Sequence, residues 1–150
     1  MVTIRQATVN DADCIIDFQI RMAQETERLQ LNHTVVSAGV RAVFEDSRKG
    51  TYWLAEEANG PIAVLLTTPE WSDWRNGTVL WIQSVYVVPE SRRKGVFGKL
   101  YHAMKRQVLD DNNLKGLRLY VDKHNKPAQN AYGRNGMSNE HYMMYEWMKA

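Results

Sequence analysis

The chain has 150 residues, of which 44% are apolar and 24% charged, and its 19 basic and 17 acidic side chains leave a net charge of +2. That length suits one domain, residues 1–150, with a core large enough to fold alone, and the apolar and charged shares are those of ordinary globular proteins. So even a balance of charge argues against a general nucleic-acid binder, and no nucleic-acid partner is expected.

No stretch approaches a membrane span, and Met1-Val2-Thr3-Ile4-Arg5 has no signal-peptide apolar core. A cytoplasmic protein without a membrane partner is the expectation. Cys14 is the lone cysteine, so no internal disulfide can form. His33, His102, His124 and His141 show no metal-ligand spacing, and no metal is expected.

In chain order, Val2 to Gln6 is β-prone and reads as a first strand. Asn10, Asp11 and Asp13 mark a helix start, with a side-chain cap and negative charge in the first turn. Ile15, Phe18, Met22 and Leu29 then share one helical face, and Glu25 falls on the same stripe. A carboxylate lining a cleft there could have a raised pKa and act as a base; a frayed helix end with a solvated carboxylate is the alternative. Gln30 to Ser37 reads as a loop, and Val36, Val40, Val43 and Phe44 as a short second helix closed by Asp46 to Gly50.

Thr51 to Glu57 and Ile62 to Thr68 read as strands joined around Asn59-Gly60, a hairpin signal because both residues tolerate positive φ. Residues 69–77 place Trp71 and Trp74 among carboxylates. Such a stretch could be a cation-accepting substrate wall, a hairpin cap or a dimer contact.

Val79 to Val88 is mostly apolar on both alternating faces, as a strand covered on two sides requires. Pro89 cannot donate a ladder hydrogen bond, so pairing should stop there. A basic turn, Glu90 to Gly98, leads into a helix whose stripe is Val96, Phe97, Leu100, Tyr101, Met104 and Val108. Lys99, His102, Lys105 and Arg106 lie away from that stripe. The first N–H groups of a helix lack intrahelical partners and sit at the positive end of its dipole. With Gly95 allowing close approach and Arg92, Arg93 and Lys94 adding charge, the turn suits an anion such as a pyrophosphate. A basic surface turn between core elements is the plain alternative. A P-loop is excluded because Gly98-Lys99 is followed by Leu100, and Gly95-Val96-Phe97-Gly98 is not a dinucleotide fingerprint.

Asp111-Asn112-Asn113 should end the helix, and Leu117 to Val121 reads as a strand. Asn125 can cap a further helix that carries Pro127 in its first turn and ends at Gly136. Ala128, Ala131 and Tyr132 share a face of it, and Tyr142 to Met148 reads as a last strand rich in Met and aromatics.

Arg92-Arg93-Lys94-Gly95-Val96-Phe97, after a strand ending Ser84-Val85-Tyr86-Val87-Val88-Pro89-Glu90, resembles the acetyl-CoA signature of the GNAT N-acetyltransferase superfamily, Arg/Gln-x-x-Gly-x-Gly/Ala. Phe97 stands where that family usually has Gly or Ala, and its side chain is expected to join the core stripe. Downstream, Asn125 to Tyr132 is similar to the family's second motif, N-x-x-A-x-x-x-Y, followed by Asn135-Gly136-Met137. The resemblance covers nearly the whole chain. It implies an α/β (α+β) fold with a mixed, mainly antiparallel sheet of about six to seven strands flanked by about four helices.

The resemblance further implies an acetyl-CoA-dependent N-acetyltransferase. Val85, Tyr86, Val87, Arg92, Arg93, Lys94, Gly95, Val96, Phe97, Gly98, Lys99, Asn125 and Tyr132 would contact acetyl-CoA, the co-substrate. The end of the central strand would splay from its neighbour and offer backbone groups to the pantetheine arm and to the oxyanion. Tyr132, a phenol with a pKa of about 10, would protonate the leaving thiolate. Some relatives have a basic Glu on the central strand, but Trp81 occupies that position here, and Gln83 on the same face cannot serve. Glu25, a water relay or an amine entering neutral remain for that role. The first two helices would form one wall of the acceptor site, with Glu25, Trp71, Trp74 and Gln83 as substrate-binding candidates. The expected reaction is direct acetyl transfer to a primary amine of a small molecule, without an acyl-cysteine intermediate. A protein acetyltransferase and a non-catalytic acyl-CoA-binding sensor are the rivals, and a homodimer is an open expectation.

Overall fold

Side-chain capping sets the first boundaries. Asp11 accepts the Thr8 N–H at 2.8 Å and receives two bonds from Arg5, at 2.8 and 2.9 Å. Arg5 also reaches Glu56 at 3.0 Å. Strand β1 (Thr3–Gln6) is thereby tied to the 3-10 turn Val9–Asp11 that precedes helix α1 (Ala12–Glu27), and to β2 (Thr51–Glu57). Helix α2 runs His33–Glu45 and starts earlier than the polar run 30–37 suggests. The reason is Asn32, whose side chain accepts the Val35 N–H at 3.1 Å and caps the helix.

In this computed structural model all residues from Met1 to Ala150 are described, in two compact units, Met1–Arg118 and Leu119–Ala150. The first unit continues with β3 (Gly60–Ser72), β4 (Gly77–Val87), helix α3 (Val96–Asp110) and β5 (Leu114–Arg118). The five strands form one sheet in the order β1-β2-β3-β4-β5, antiparallel except for the parallel β4–β5 pair. The sheet is thus mixed and mainly antiparallel, with fewer strands than the sequence suggests. Four α-helices accompany it.

Residues 69–72, read as part of a connecting stretch, extend β3, so that Trp71 opposes Thr78 and Ser72 opposes Gly77 across a hairpin turn. The last strand of the first unit begins at Leu114 rather than Leu117. Its register is set by the Thr78 N–H, which donates to the Asn113 carbonyl at 2.8 Å, and by Gly77. A Cβ on Gly77 would lie 2.8 Å from that carbonyl and 2.5 Å from Lys115 Cε, so only glycine admits this approach.

The core follows the apolar patterns. Ile15, Leu54, Leu65 and Leu100 are fully buried, and Ala63, Val64, Val79, Ile82, Tyr86, Val96 and Met104 lie beside them in the buried set. Each large aliphatic side chain removed from water contributes about 1.5–3 kcal/mol. On α3 the expected stripe is the buried one, while Lys99, His102, Lys105 and Arg106 are exposed. Phe97 is half-buried with its ring 6.2 Å from that of Tyr101.

In the second unit α4 (Lys126–Arg134) starts where Asn125 accepts the Ala128 N–H at 3.2 Å, with Pro127 in the first turn. It closes at Gly136, φ +88°, where the Met137 N–H returns to the Tyr132 carbonyl. Tyr142 to Met148 is not a strand. Its side chains are exposed, Tyr145 by 88% and Trp147 by 86%. Composition alone marks it as β-prone, but a strand exists only through a ladder with a neighbour, and none forms there.

Candidate active site

The C-terminal half of β4 departs from regular pairing. Val64 opposes Tyr86 and Leu66 opposes Gln83, so Ser84 and Val85 together face Leu65 in a bulge. Ser84 sits at φ +53°, a conformation a non-glycine residue rarely adopts. The bulge re-aims the strand's side chains. Pairing with β5 ends at Trp81–Arg118, where β5 itself ends, while β4 continues to Val87.

Beyond Val87 the chain makes a 3-10 turn over Pro89–Ser91 and then the basic turn. Arg93 and Gly95 both have positive φ, +61° and +75°, on either side of Lys94. Gly95 is the N-cap of α3 and has no side chain to satisfy the first-turn N–H groups of Val96, Phe97 and Gly98. A Cβ built on Gly95 meets nothing within 4 Å, so the approach to those groups is open. Arg93 and Lys94 are exposed and enter no salt bridge. An uncapped helix start, two flanking cations and an open glycine face fit a pyrophosphate.

Arg92 is placed differently. Its Nε donates to the Val87 carbonyl at 2.8 Å, and its Nη2 donates to Glu25 Oε2 at 2.6 Å. Its guanidinium carbon lies 5.4 Å from the centre of the Tyr86 ring, and that of Arg21 lies 5.5 Å from it. The Tyr86 hydroxyl donates to Glu25 Oε1 at 3.0 Å, and the Tyr86 ring stands 5.4 Å from that of Phe18. Three sequence candidates, Glu25, Tyr86 and Arg92, therefore meet in one cluster between α1 and the end of β4. The hydrogen bond from Arg92 holds the Glu25 carboxyl below its ordinary pKa against the opposing effect of burial, and the Tyr86 hydrogen bond adds to it. This is the reverse of the raised value a general base would need. Burial, then Glu25, pushes the Tyr86 phenol up.

A second cluster lies on the sheet. Gln83 Nε2 donates to Thr68 Oγ1 at 2.6 Å. The Trp81 indole N–H donates to Glu70 Oε2 at 2.9 Å, and Arg118 Nη1 donates to Glu70 Oε1 at 2.7 Å. Glu70 was not singled out in sequence, yet its carboxylate meets both the Trp81 indole and Arg118. Extending the hairpin register back from the turn at Asn76, which has φ +48°, would have found it. Trp71 and Trp74 lie at the tip of that hairpin, 65% and 90% exposed.

Asn125 and Tyr132 lie in the second unit, at the cap and on the body of α4. Burial raises the Tyr132 phenol above its ordinary pKa, which keeps it protonated at neutral pH and able to donate.

The model of the family described as acetyltransferase (GNAT) matches residues 19–137. An N-acetyltransferase of Bacillus subtilis (strain 168), YhfO, itself uncharacterized, is 28% identical over 135 residues, 90% of this chain and 89% of its own length. The crystal structure of a possible acetyltransferase from Clostridium difficile 630 superimposes with a TM-score of 0.93 at 42% identity, over 100% of this chain and 99% of its own. A Clostridium acetobutylicum protein, a predicted acetyltransferase solved with acetyl-CoA, shares the fold at 18% identity and a TM-score of 0.76, over 97% of this chain and 96% of its own. The chain belongs to the acetyltransferase (GNAT) family and is an acetyl-CoA-dependent N-acetyltransferase.

Proposed function

We propose that this chain acetylates a primary amine of a small molecule by direct transfer from acetyl-CoA. The observation that carries the reading is the turn before α3, where Arg93 and Gly95 take left-handed conformations and the helix start is uncapped and open. The pyrophosphate of acetyl-CoA would lie on the N–H groups of Val96, Phe97 and Gly98, with Arg93, Lys94 and Lys99 supplying charge. The bulged end of β4, Val85 to Val87, would carry the pantetheine arm and present backbone N–H to the thioester oxygen. The neutral amine nitrogen attacks the thioester carbonyl, the carbon–sulfur bond breaks, Tyr132 gives its proton to the departing thiolate, and the proton that the new amide nitrogen sheds passes through water and restores the phenol. Glu25, locked by Arg92 and Tyr86, is replaced in the base role by an amine that enters neutral or loses its proton to water. The Glu70 carboxylate is shared between the Trp81 indole N–H and Arg118, and the Trp81 ring, with Gln83 on the same face, suits recognition of the cationic form of that amine on its way in. Exposed Tyr145, Trp147 and Met148 support a homodimer, because interfaces rather than solvent accommodate such side chains. Its test is the mass in solution by light scattering.

Calorimetric titration with acetyl-CoA, followed by thiol release against a panel of amines, tests the reading. Saturable binding with turnover is expected, and Tyr132→Phe should lower the rate about 100-fold or more without weakening acetyl-CoA binding. The rate should climb with pH as the amine deprotonates. Absence of acetyl-CoA binding would refute the site, and turnover only with a protein or peptide amine would refute the small-molecule acceptor.

A further inference from the structure

The three consecutive cations of the turn are not equivalent. Arg93 and Lys94 point no charge at a carboxylate, whereas Arg92 is engaged on three sides, by Val87, Glu25 and the Tyr86 ring. Its charge is met by an anion at 2.6 Å, so an approaching phosphate sees a nearly neutral pair. Glu25 in turn occupies the last turn of α1, the negative end of that helix dipole, where a carboxylate is disfavoured unless a cation offsets it. The side chains of Arg92 and Glu25 are 45% and 35% exposed, so the pair is not a core element whose loss would unfold the chain.

We propose that Arg92 is a positioning residue rather than a ligand of the pyrophosphate, and that Glu25 and Tyr86 are its anchors. Together they pin the start of the turn to the end of β4 and to α1, so that Arg93, Lys94 and the open N–H groups of α3 face the anion in a fixed arrangement. The inference rests on acetyl-CoA binding at this turn. It assigns to Glu25 a role distinct from that of a base.

The competing reading, in which Arg92 binds the pyrophosphate and Glu25 competes for it, predicts the opposite sign for one variant. Glu25→Gln removes a negative charge beside the turn. Simple electrostatics then tightens acetyl-CoA binding, whereas loss of the anchor weakens it. Titrating wild type, Glu25→Gln, Tyr86→Phe and Arg93→Ala with acetyl-CoA at low and high salt separates the two. Glu25→Gln is expected to weaken binding about tenfold, and Tyr86→Phe about threefold with the salt dependence of wild type. Arg93→Ala should weaken binding at low salt and flatten the salt dependence, because it removes a charge the anion meets directly. In steady state Glu25→Gln should raise the KM for acetyl-CoA and hold kcat within about twofold; loss of a general base would instead cost kcat about 100-fold or more. Tighter or unchanged binding in Glu25→Gln, or a kcat collapse, would overturn the proposal. Failure of wild type itself to bind would refute the acetyl-CoA site, a result distinct from either.

Discussion

Replacing Gly95 with alanine separates what the turn needs for folding from what it needs for binding. At φ +75° an alanine Cβ crowds its own backbone, at a cost of about 1–2 kcal/mol. For a chain of this length each kcal/mol lowers the melting temperature by about 2–4 °C, so a loss of about 2–8 °C is expected. The added methyl meets no protein atom within 4 Å, so no further packing penalty arises. It does add bulk at the residue that caps α3, beside the N–H groups that a phosphate must approach within hydrogen-bond distance. Binding of acetyl-CoA should therefore weaken at least about tenfold, or about 1.4 kcal/mol, beyond any effect of stability. Gly60→Ala is the matched control. Its φ is +119°, its Cβ also meets nothing within 4 Å, and it lies on the β2–β3 hairpin away from the turn. Thermal melts and calorimetric titration of both variants give the comparison. Gly60→Ala should lose stability and keep its affinity. If Gly95→Ala loses stability but binds acetyl-CoA like wild type, the anion does not approach over Gly95 and the site is wrong.

Leu100→Ala empties a fully buried position on α3 and should cost about 2–5 kcal/mol, read as a lower urea midpoint at constant slope. Asp11 is held below its ordinary pKa by the Arg5 hydrogen bonds, burial opposing and the Thr8 N–H assisting. Its folded pKa lies below the unfolded one, so its stabilisation is complete above the unfolded value and disappears as pH falls through the folded value. Asp11→Asn should therefore cost about 1–2 kcal/mol near neutral pH, and its melting temperature should converge with wild type in acid, as pH falls through the folded value. Glu70→Gln leaves a hydrogen-bond partner for Trp81 but breaks the ion pair with Arg118 that fixes this face of the sheet. Its KM for the amine should rise while acetyl-CoA affinity stays unchanged, and a rise in the acetyl-CoA Kd would refute the acceptor assignment.

The elements most legible in the sequence are those decided within one turn of chain. Pro89 ends β4's pairing, Gly95 opens α3, Asn125 caps α4 and Gly136 closes it, because each rests on φ preference or a missing donor. The α2 start was equally local, in Asn32, but the polar run around it obscured the cap. What required the third dimension is different in kind. The β5 register depends on Gly77 admitting Asn113, and apolar content alone pointed three residues too late. Tyr142 to Met148 has the composition of a strand but not the partner that makes one. The Glu25–Arg92 bond spans 67 positions in sequence, and no periodicity on α1 reports which cation its carboxylate will meet.

That last point reaches the chemistry. Basic residues in a run look interchangeable on paper, since each adds one positive charge to the same neighbourhood. In the fold, charge available to a ligand is what remains after internal carboxylates are counted. Arg5 is neutralised by Asp11 and Glu56, Arg118 meets Glu70, and Arg92 meets Glu25, while Arg93 and Lys94 meet none. The neutralised cations fix geometry: Arg5 joins β1 to the entry of α1, Arg118 lies at the last β4–β5 pair, and Arg92 holds the turn to β4. The unneutralised ones stand next to backbone N–H groups that also lack partners. An anion at the α3 start therefore meets a directional donor set and a local positive field together, although the chain as a whole carries only +2. At the proposed site, electrostatic attraction to acetyl-CoA is then a property of three side chains and one helix end, and its salt dependence should follow Arg93, Lys94 and Lys99 and be indifferent to Arg92.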